Sequence, residues 1–348
     1  SSISPIVLKR VFILFLNAIG KKIKNKIKDI LNIMNLLVTG GCGFIGSNFI
    51  NYISKNYPNY FIVNVDAMYY CASETNVNEE TRNLFNYKFI KCNLKDFEFI
   101  NYILEKYHID HIVHFAAQSH VQNSFDDSLI YTMDNVLGTH TLLESCRIYQ
   151  KKTNKLKKII HVSTDEVYGE TVNDDLKSET SMLIPTNPYA ATKAGAEMIA
   201  MSYIKSYRLP IIITRGNNVY GPNQYPEKVI PLFIKQLKEN QQVTIQGNGS
   251  ALRSFLHVDD VSRAFETILF KGVIGEIYNI GTDQEYSVID VAKILVKMIK
   301  KTDDFQSWVR FIEDRPFNDS RYFINNSKLK ALGWEIKINF EDGIKMLL

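Results

Sequence analysis

The chain has 348 residues, 45% of them hydrophobic and 22% charged. That is room for one large α/β domain and a smaller companion, in the composition range of globular rather than disordered or fibrous proteins. Its formal charge of +4 sits at the front: residues 1–34 hold seven basic side chains and one acidic, the rest carries a net −2, and nothing in it points to a nucleic-acid partner.

Residues 1–33 read as a basic N-terminal extension outside the fold. Val11 to Leu16 is apolar but far short of the ~20 residues a membrane span requires, and no cleavage-site pattern follows. A basic amphipathic surface helix is the alternative. The extension is favoured because a strand and a glycine loop begin directly after Met34. The four cysteines, Cys42, Cys71, Cys92 and Cys146, form no C-x-x-C pair and no zinc-like spacing with histidine. They read as free thiols in a reducing, cytoplasmic compartment, with no metal site expected.

From Asn35 onward, short apolar runs alternate with helix-length segments. The predicted strands are Leu36–Thr39, Phe61–Val65, Tyr87–Lys91, His111–Phe115, Lys158–Ser163 and Pro210–Arg215. This alternation predicts an α/β fold with a Rossmann-type, doubly wound parallel sheet. Past Arg215 the regularity gives way to turns such as Gly221-Pro222 and Gly247-Asn248-Gly249, with a late helix near Val288–Lys300. The expected organisation is a dinucleotide-binding domain over 34–215 and a smaller mixed α/β substrate-binding domain over 216–348, with chain crossovers between them.

The first strand runs into Thr39-Gly40-Gly41-Cys42-Gly43-Phe44-Ile45-Gly46, in which Gly40, Gly43 and Gly46 have the spacing G-x-x-G-x-x-G. A tight turn, close approach to a pyrophosphate and helix–strand packing all favour glycine there. The helix N-terminus adds free N–H groups and a favourable dipole. Asp66 lies 20 residues past Gly46 at the end of the second predicted strand. A carboxylate there accepts both ribose hydroxyls and repels a 2′-phosphate, and Ala67 and Met68 offer that phosphate no cation. NAD is therefore expected rather than NADP.

The end of the fifth strand carries Ser163-Thr164-Asp165-Glu166-Val167-Tyr168-Gly169. Ligands bind at the C-terminal edges of such strands. Neighbouring strand residues point to opposite faces, so Asp165 and Glu166 share a site only if the strand ends and the backbone turns, which Tyr168-Gly169 permits. Two carboxyls at one site push their pKa values apart, suiting one as acid and the other as base. A helix follows in Pro188-Tyr189-Ala190-Ala191-Thr192-Lys193, where Tyr189 and Lys193 share a face. A lysine ammonium beside a tyrosine favours the phenolate, making Tyr189 a candidate base toward a sugar hydroxyl, with the Thr164 hydroxyl on the same substrate oxygen. The Tyr-x-x-x-Lys spacing alone is common, and it is the upstream Thr164 that gives it weight.

These residues together resemble the extended short-chain dehydrogenase/reductase family, from about Asn35 to the C-terminus. The run Thr164–Gly169 resembles the nucleotide-sugar 4,6-dehydratases more narrowly, since sugar epimerases usually have serine and small residues in place of the acid pair. Further matching stretches are His114–Val121, Asn135–Thr139, Arg215–Pro222, Tyr225–Pro231 and Asp314–Tyr322. Arg215–Pro222 and Arg315–Tyr322 are most similar to the dehydratase part of plant UDP-rhamnose synthases. Tyr70-Cys71-Ala72-Ser73 resembles the animal dTDP-glucose 4,6-dehydratase-like proteins.

The resemblance implies a reaction in which Tyr189 deprotonates the sugar 4-hydroxyl during oxidation by NAD at C4. Glu166 then takes the C5 proton while Asp165 protonates the departing 6-hydroxyl, and reduction at C6 restores NAD. The implied substrate is UDP-glucose, with dTDP-glucose as the alternative, and rhamnose synthesis is the implied destination. The resemblance adds Phe44, Ile45, Leu94, Phe115, Ala116, Ala117 and Ser119 to the cofactor site, and Asn93 where an aspartate is usual near adenine. It implies a substrate site lined by His120, Asn218, Glu227, Lys228, Arg253, Asn279, Arg315 and Tyr322, with the arginines suited to diphosphate. Gln122 and Asn248 also replace usual aspartates. A homodimer joined by a four-helix bundle is implied, from helices near Asp127–Tyr149 and Tyr189–Tyr207, and the family's last helix would continue past Leu348. Two other readings stay open. An epimerase or decarboxylase of this fold would need Thr164, Tyr189 and Lys193 but not the acids, and a non-catalytic NAD-binding sensor tends to lose the tyrosine or the lysine.

Overall fold

The computed structural model describes residues 34–171, 175–313 and 319–348. The extension over 1–33 and the expected diphosphate ligand Arg315 lie outside the described residues. Six strands form close to where the apolar runs predict them: β1 (Asn35–Thr39), β2 (Phe61–Asp66), β3 (Tyr87–Lys91), β4 (His111–His114), β5 (Lys158–Thr164) and β6 (Ile211–Gly216). Beyond them lie β7 (Asn218–Tyr220), β8 (Val243–Gln246), β9 (Leu252–His257), β10 (Ile277–Ile280), β11 (Glu285–Ser287) and β12 (Val309–Ile312). The longer helices are α1 (Phe44–Asn56), α2 (Phe97–Lys106), α3 (Gly138–Thr153), α4 (Pro188–Tyr207), α5 (Val229–Lys238), α6 (Val258–Lys271) and α7 (Val288–Lys300).

The main sheet has seven strands in the order β10-β6-β5-β4-β1-β2-β3, every neighbouring pair parallel. Successive residues of β1 show how it is buried on both sides. Leu36 and Val38 pack with Phe49 and Ile53 of α1 and Phe265 of α6, whereas Leu37 packs with Ile100 of α2 and Leu142 of α3. Such double burial explains why these strands read as unbroken apolar runs. Strand order reverses between β1 and β4, and a crevice opens there at the carboxyl ends of the strands.

The seventh strand comes from beyond residue 216. Ile277–Ile280 pairs with Ile213–Gly216 and covers what would otherwise be an open β6 edge. Helix α6 likewise packs beside α1 under the main sheet. The second half of the chain thus completes the main sheet as well as building a hydrophobic core of its own. Its own core joins Phe233 and Leu237 of α5, Leu295 of α7, Val243 of β8 and Val309 of β12. The sheets β11-β9-β7 and β12-β8 belong to this part.

One expected helix contains a π turn. The segment near Asp127–Tyr149 comprises Ser128–Tyr131, a π-helical turn at Thr132–Leu137, and then α3. The turn brings the Asn135 side chain onto Gln118, accepting its N–H at 2.7 Å and donating to its carbonyl at 3.0 Å. Single π turns of this kind occur mostly at functional sites.

The ring of Phe49 is fully buried, 5.5 Å from Phe115 and 5.9 Å from Phe265, so α1, the β4 end and α6 meet on it. Phe49→Ala is expected to lower unfolding stability by about 3–5 kcal/mol. Equilibrium urea unfolding checks this, and a loss under about 1 kcal/mol would contradict the packing described.

Candidate active site

A cavity of about 490 Å³ occupies the crevice above β1, β4 and β5 and extends to residues of the second half such as Lys228, Arg253 and Tyr322. Its floor begins with the glycine loop. Gly40 has φ +73°, and a Cβ on it would stand 2.6 Å from the Ala116 nitrogen. A Cβ on Gly46 would stand 2.4 Å from the Gly40 carbonyl oxygen. Gly43 is looser and serves as the N-cap of α1, where no side chain caps the helix. The loop is therefore a cradle of bare backbone under an uncapped helix N-terminus, which suits a pyrophosphate. Gly41, which the motif spacing does not single out, is also constrained, since a Cβ there would lie 2.2 Å from the Asn64 side chain.

Asp66 closes β2 beside this loop. Its carboxylate accepts the Cys42 N–H at 3.0 Å and the Met68 N–H at 2.8 Å. Burial raises its pKa, and those two N–H bonds oppose the rise. A carboxylate has four acceptor sites, so two stay available to ribose hydroxyls. Phe44, Ile45, Leu94, Phe115, Ala116, Ala117 and Ser119 all line the cavity. Asn93 lines it too, donating to the Tyr69 hydroxyl at 2.9 Å and accepting the Lys95 N–H at 3.0 Å. Tyr69, Lys95 and Gln118 converge on the Asp134 carboxylate, at 3.3, 2.8 and 3.0 Å. This polar group at the cavity edge has no motif in the sequence, because Asp134 reaches it only through the π turn.

The acid pair sits where β5 ends. A 3₁₀ turn, Asp165–Tyr168, follows Thr164 directly, and Gly169 ends it with φ +75°. The turn sends the two neighbours to different places. Glu166 lines the cavity, and its carboxylate accepts the Asn187 amide at 3.0 Å. Asp165 lies buried just behind the wall, accepting the Thr164 hydroxyl at 3.1 Å and the Asn217 amide at 2.7 Å. Burial pushes Asp165 up to about 6. Burial, and then the charge of Asp165, push Glu166 up to about 7. This order is opposite to the acid and base roles the resemblance implies, but two such close carboxyls titrate as a pair. Between the two values the pair holds a single proton, the state that offers one donor and one acceptor.

Helix α4 brings the other pair. Asn187 caps it, accepting the Ala190 N–H at 2.8 Å, and the same side chain donates to Glu166, so one residue fixes both the helix start and the carboxylate. Tyr189 and Lys193 are both buried and both line the cavity. Lys193 donates to the Val162 carbonyl at 2.6 Å, and burial lowers its pKa to about 8. The phenol of Tyr189 is not eased toward phenolate by the protein's own groups. Burial and the Glu166 charge raise its pKa, and a hydrogen bond with Thr164 acts the other way. Desolvation and the nearby carboxylates are influences on Tyr189 that helix spacing alone does not show.

Of the expected substrate residues, His120, Thr164, Asn218, Glu227, Lys228, Arg253 and Tyr322 line the cavity. His120 contacts the Glu227 carboxylate at 3.1 Å. Arg253 lies 5.1 Å over the Tyr322 ring and donates to the Leu252 and Asp319 carbonyls, both at 2.8 Å. Asn279 does not join them. It is fully buried, with its amide engaged by the Tyr168 hydroxyl at 2.8 Å and by the Lys177 and Asn325 carbonyls. Sequence reasoning missed Asn187, whose Asn-Pro step before a helix is a readable cap signal, and Asn217, for which no local signal exists.

The family model described as GDP-mannose 4,6 dehydratase matches residues 37–347. A trifunctional UDP-glucose 4,6-dehydratase, UDP-4-keto-6-deoxy-D-glucose 3,5-epimerase and UDP-4-keto-L-rhamnose-reductase of Arabidopsis thaliana is 50% identical over 313 residues, covering 89% of this chain. The chain spans only 46% of that protein's length. A dTDP-D-glucose 4,6-dehydratase of Homo sapiens is 46% identical over 313 residues, covering 89% of this chain and 87% of the human protein. The crystal structure of a dTDP-glucose 4,6-dehydratase from Streptomyces venezuelae, with NAD and TYD bound, matches with a TM-score of 0.83 at 35% identity over 89% of this chain and 94% of that one. With the match running over residues 37–347, the chain belongs to the GDP-mannose 4,6 dehydratase family, among the nucleotide-sugar 4,6-dehydratases of the extended short-chain dehydrogenase/reductases.

Proposed function

We propose that this protein is an NAD-dependent hydro-lyase that converts UDP-glucose to UDP-4-keto-6-deoxyglucose, a step toward rhamnose. The observation that carries the reading is the buried acid pair at the β5 end, with Glu166 on the cavity wall and Tyr189 on the same wall. Plain oxidation or epimerisation at C4 needs Thr164, Tyr189 and Lys193 and has no use for two buried carboxyls. A sensor would not need them either. UDP rather than dTDP is supported by the greater identity to the plant protein, 50% against 46% for the human one.

The glycine cradle and Asp66 would hold NAD, which supplies the two-electron acceptor for oxidation at C4 and returns the electrons at C6. Tyr189, hydrogen-bonded to Thr164 and followed one turn later by Lys193, takes the 4-hydroxyl proton. The resulting ketone acidifies C5, and Glu166 removes that proton. Asp165 gives its proton to the 6-hydroxyl, which leaves as water. Glu166 then returns a proton to C5. Lys228 and Arg253 add positive charge near Glu166 and suit the diphosphate. Asn279, held in the interior, has no part in this scheme.

Two further expectations belong to the same reading. The chain pairs with a second copy through α3 and α4, which pack side by side. Apolar side chains stand exposed on this face and on the turn leading into it: Leu129 at 76%, Met133 at 49% and Met198 at 49%. The location is a reducing, cytoplasmic one, which suits the four free cysteines, three of them buried. Among the described residues no helix is long and apolar enough to cross a membrane, and no cluster of histidine, cysteine and carboxylate residues would hold a metal ion.

Incubation with UDP-glucose and, separately, dTDP-glucose is expected to yield an alkali-sensitive 4-keto-6-deoxy sugar, faster with UDP-glucose. Glu166→Gln should slow that product by about 10²–10⁴-fold while oxidation at C4, seen as absorbance at 340 nm, persists. Normal product formation by this variant would remove Glu166 from the role of base.

The carboxyl shifts predict a pH dependence. Turnover should follow a bell-shaped pH profile with its maximum between about 6 and about 7, where the pair holds a single proton, and should fall on either side. Stability should instead fall in one direction, as pH rises. A carboxyl whose folded pKa is raised above its unfolded value favours folding below the unfolded value, and that benefit is lost as pH rises through about 7. Glu166→Gln is therefore expected to melt a few degrees above the parent at pH 8, with the gap closing near pH 4.5. A melting difference that does not change with pH would contradict the burial cost.

Leu129→Glu combined with Met133→Glu should convert a dimer to a monomer in sedimentation velocity. An unchanged sedimentation coefficient would exclude this face as the contact.

A further inference from the structure

A buried ion pair outside the reacting set lies at the junction of its two halves. Arg215 on β6 and Glu197 on α4 are both shut off from solvent. The guanidinium donates to the Glu197 carboxylate from Nε at 3.1 and 3.2 Å and from Nη2 at 2.7 Å. Its Nη1 donates to the Tyr168 hydroxyl at 2.8 Å and to the Glu179 carbonyl at 3.2 Å. The guanidinium also lies 4.7 Å over the Tyr168 ring.

Each partner is joined to one half of the chemistry. Glu197 is one turn past Lys193 and two turns past Tyr189, on the same face of α4. Tyr168 is the last residue of the 3₁₀ turn that begins with Asp165 and Glu166. Arg215 itself pairs in register with Ser163, the residue before Thr164. The far side of Tyr168 is held as well, because its hydroxyl donates to Asn279 at 2.8 Å, and the Asn279 N–H donates to the Glu179 carboxylate at 3.0 Å. The burial of Asn279 away from the cavity thus has a structural reason.

A buried ion pair is a costly way to hold a core together, since apolar side chains of equal volume usually serve stability as well or better. What the planar, five-donor fork adds is direction. We propose that Arg215, with Glu197 and Tyr168, is a positioning group that sets the acid pair in register with the Tyr189–Lys193 helix, so that elimination of water follows oxidation at C4 without escape of the ketone. The proposal rests on the dehydratase reading above.

The test uses the full chain with UDP-glucose in single turnover, comparing Tyr168→Phe, Arg215→Lys and the parent. Tyr168→Phe removes one hydroxyl and keeps the ring, so it is the variant that keeps the fold, as its melting temperature will verify. In both variants oxidation at C4, read at 340 nm, should stay within about 3-fold of the parent, whereas water loss should fall at least about 10-fold, a range that loss of a positioned group gives. KM should be unchanged, and a 4-keto sugar that keeps its 6-hydroxyl should be released. Equal loss of both steps, or of neither, overturns the proposal in favour of a purely structural ion pair.

A second measurement needs no turnover. The Glu166 carboxyl titration, followed by carbon NMR, should move by half a unit or more in Tyr168→Phe and in Arg215→Lys. An unmoved titration overturns the positioning role. Failure of the parent to turn over either sugar would instead overturn the dehydratase reading and leave this titration to decide the positioning.

Discussion

Two neighbouring carboxyls kept inside the protein are the constraint around which the site is built. Desolvation opposes their charge, and their mutual repulsion adds to it. The protein meets them at hydrogen-bond distance with neutral donors: the Thr164 hydroxyl and the Asn217 amide at Asp165, and the Asn187 amide at Glu166. Cations stand further off, with Arg253 and Lys228 acting only through their fields. An arginine fork in direct contact would have held both carboxyls ionised. Neutral amides hold them in place and leave them able to exchange protons near pH 7.

That arrangement depends on where the backbone turns. A strand alone would aim Asp165 and Glu166 to opposite faces of the sheet. The 3₁₀ turn with Gly169 beyond it takes both out of the strand. Asn187 then links the turn to the start of α4, so the carboxylates and the Tyr189–Lys193 pair form one mechanical unit. On the other side of the cavity the glycine loop is held just as tightly, with Gly40 against Ala116 and Gly46 against Gly40. The cofactor cradle and the acid pair are therefore two ends of one sheet edge, spaced by the strands between them.

Much of this was legible in the chain. Doubly buried parallel strands read as apolar runs, and five of the six predicted strands differ from the observed ones by a single residue at one or both ends, while β3 coincides. The glycine loop, Asp66, the acid pair and the Tyr-x-x-x-Lys helix announce themselves because each depends on spacing within a few residues. Residues that act through distant partners were not legible. Asn217 is 52 positions from Asp165, and Arg215 is 47 from Tyr168. Asn279 matched a family pattern yet serves the interior, because Tyr168 and two carbonyls occupy its amide. The surroundings of Tyr189 were not legible for a related reason. Spacing shows the lysine four residues on, whereas the depth of burial and the nearby carboxylates exist only in the folded chain.

The sequence by itself determined the α/β class, the positions of β1 to β6 along the chain, the glycine loop and the candidate reacting groups, all of which are local properties of strand, turn and helix. Only the tertiary structure decided that β10 returns from the second half to close the sheet, that the helix leading into α3 takes a π turn at Thr132–Leu137, and which polar side chains face the cavity. Those choices follow from covering exposed strand edges and satisfying buried polar groups, and both require partners that lie far apart in the chain.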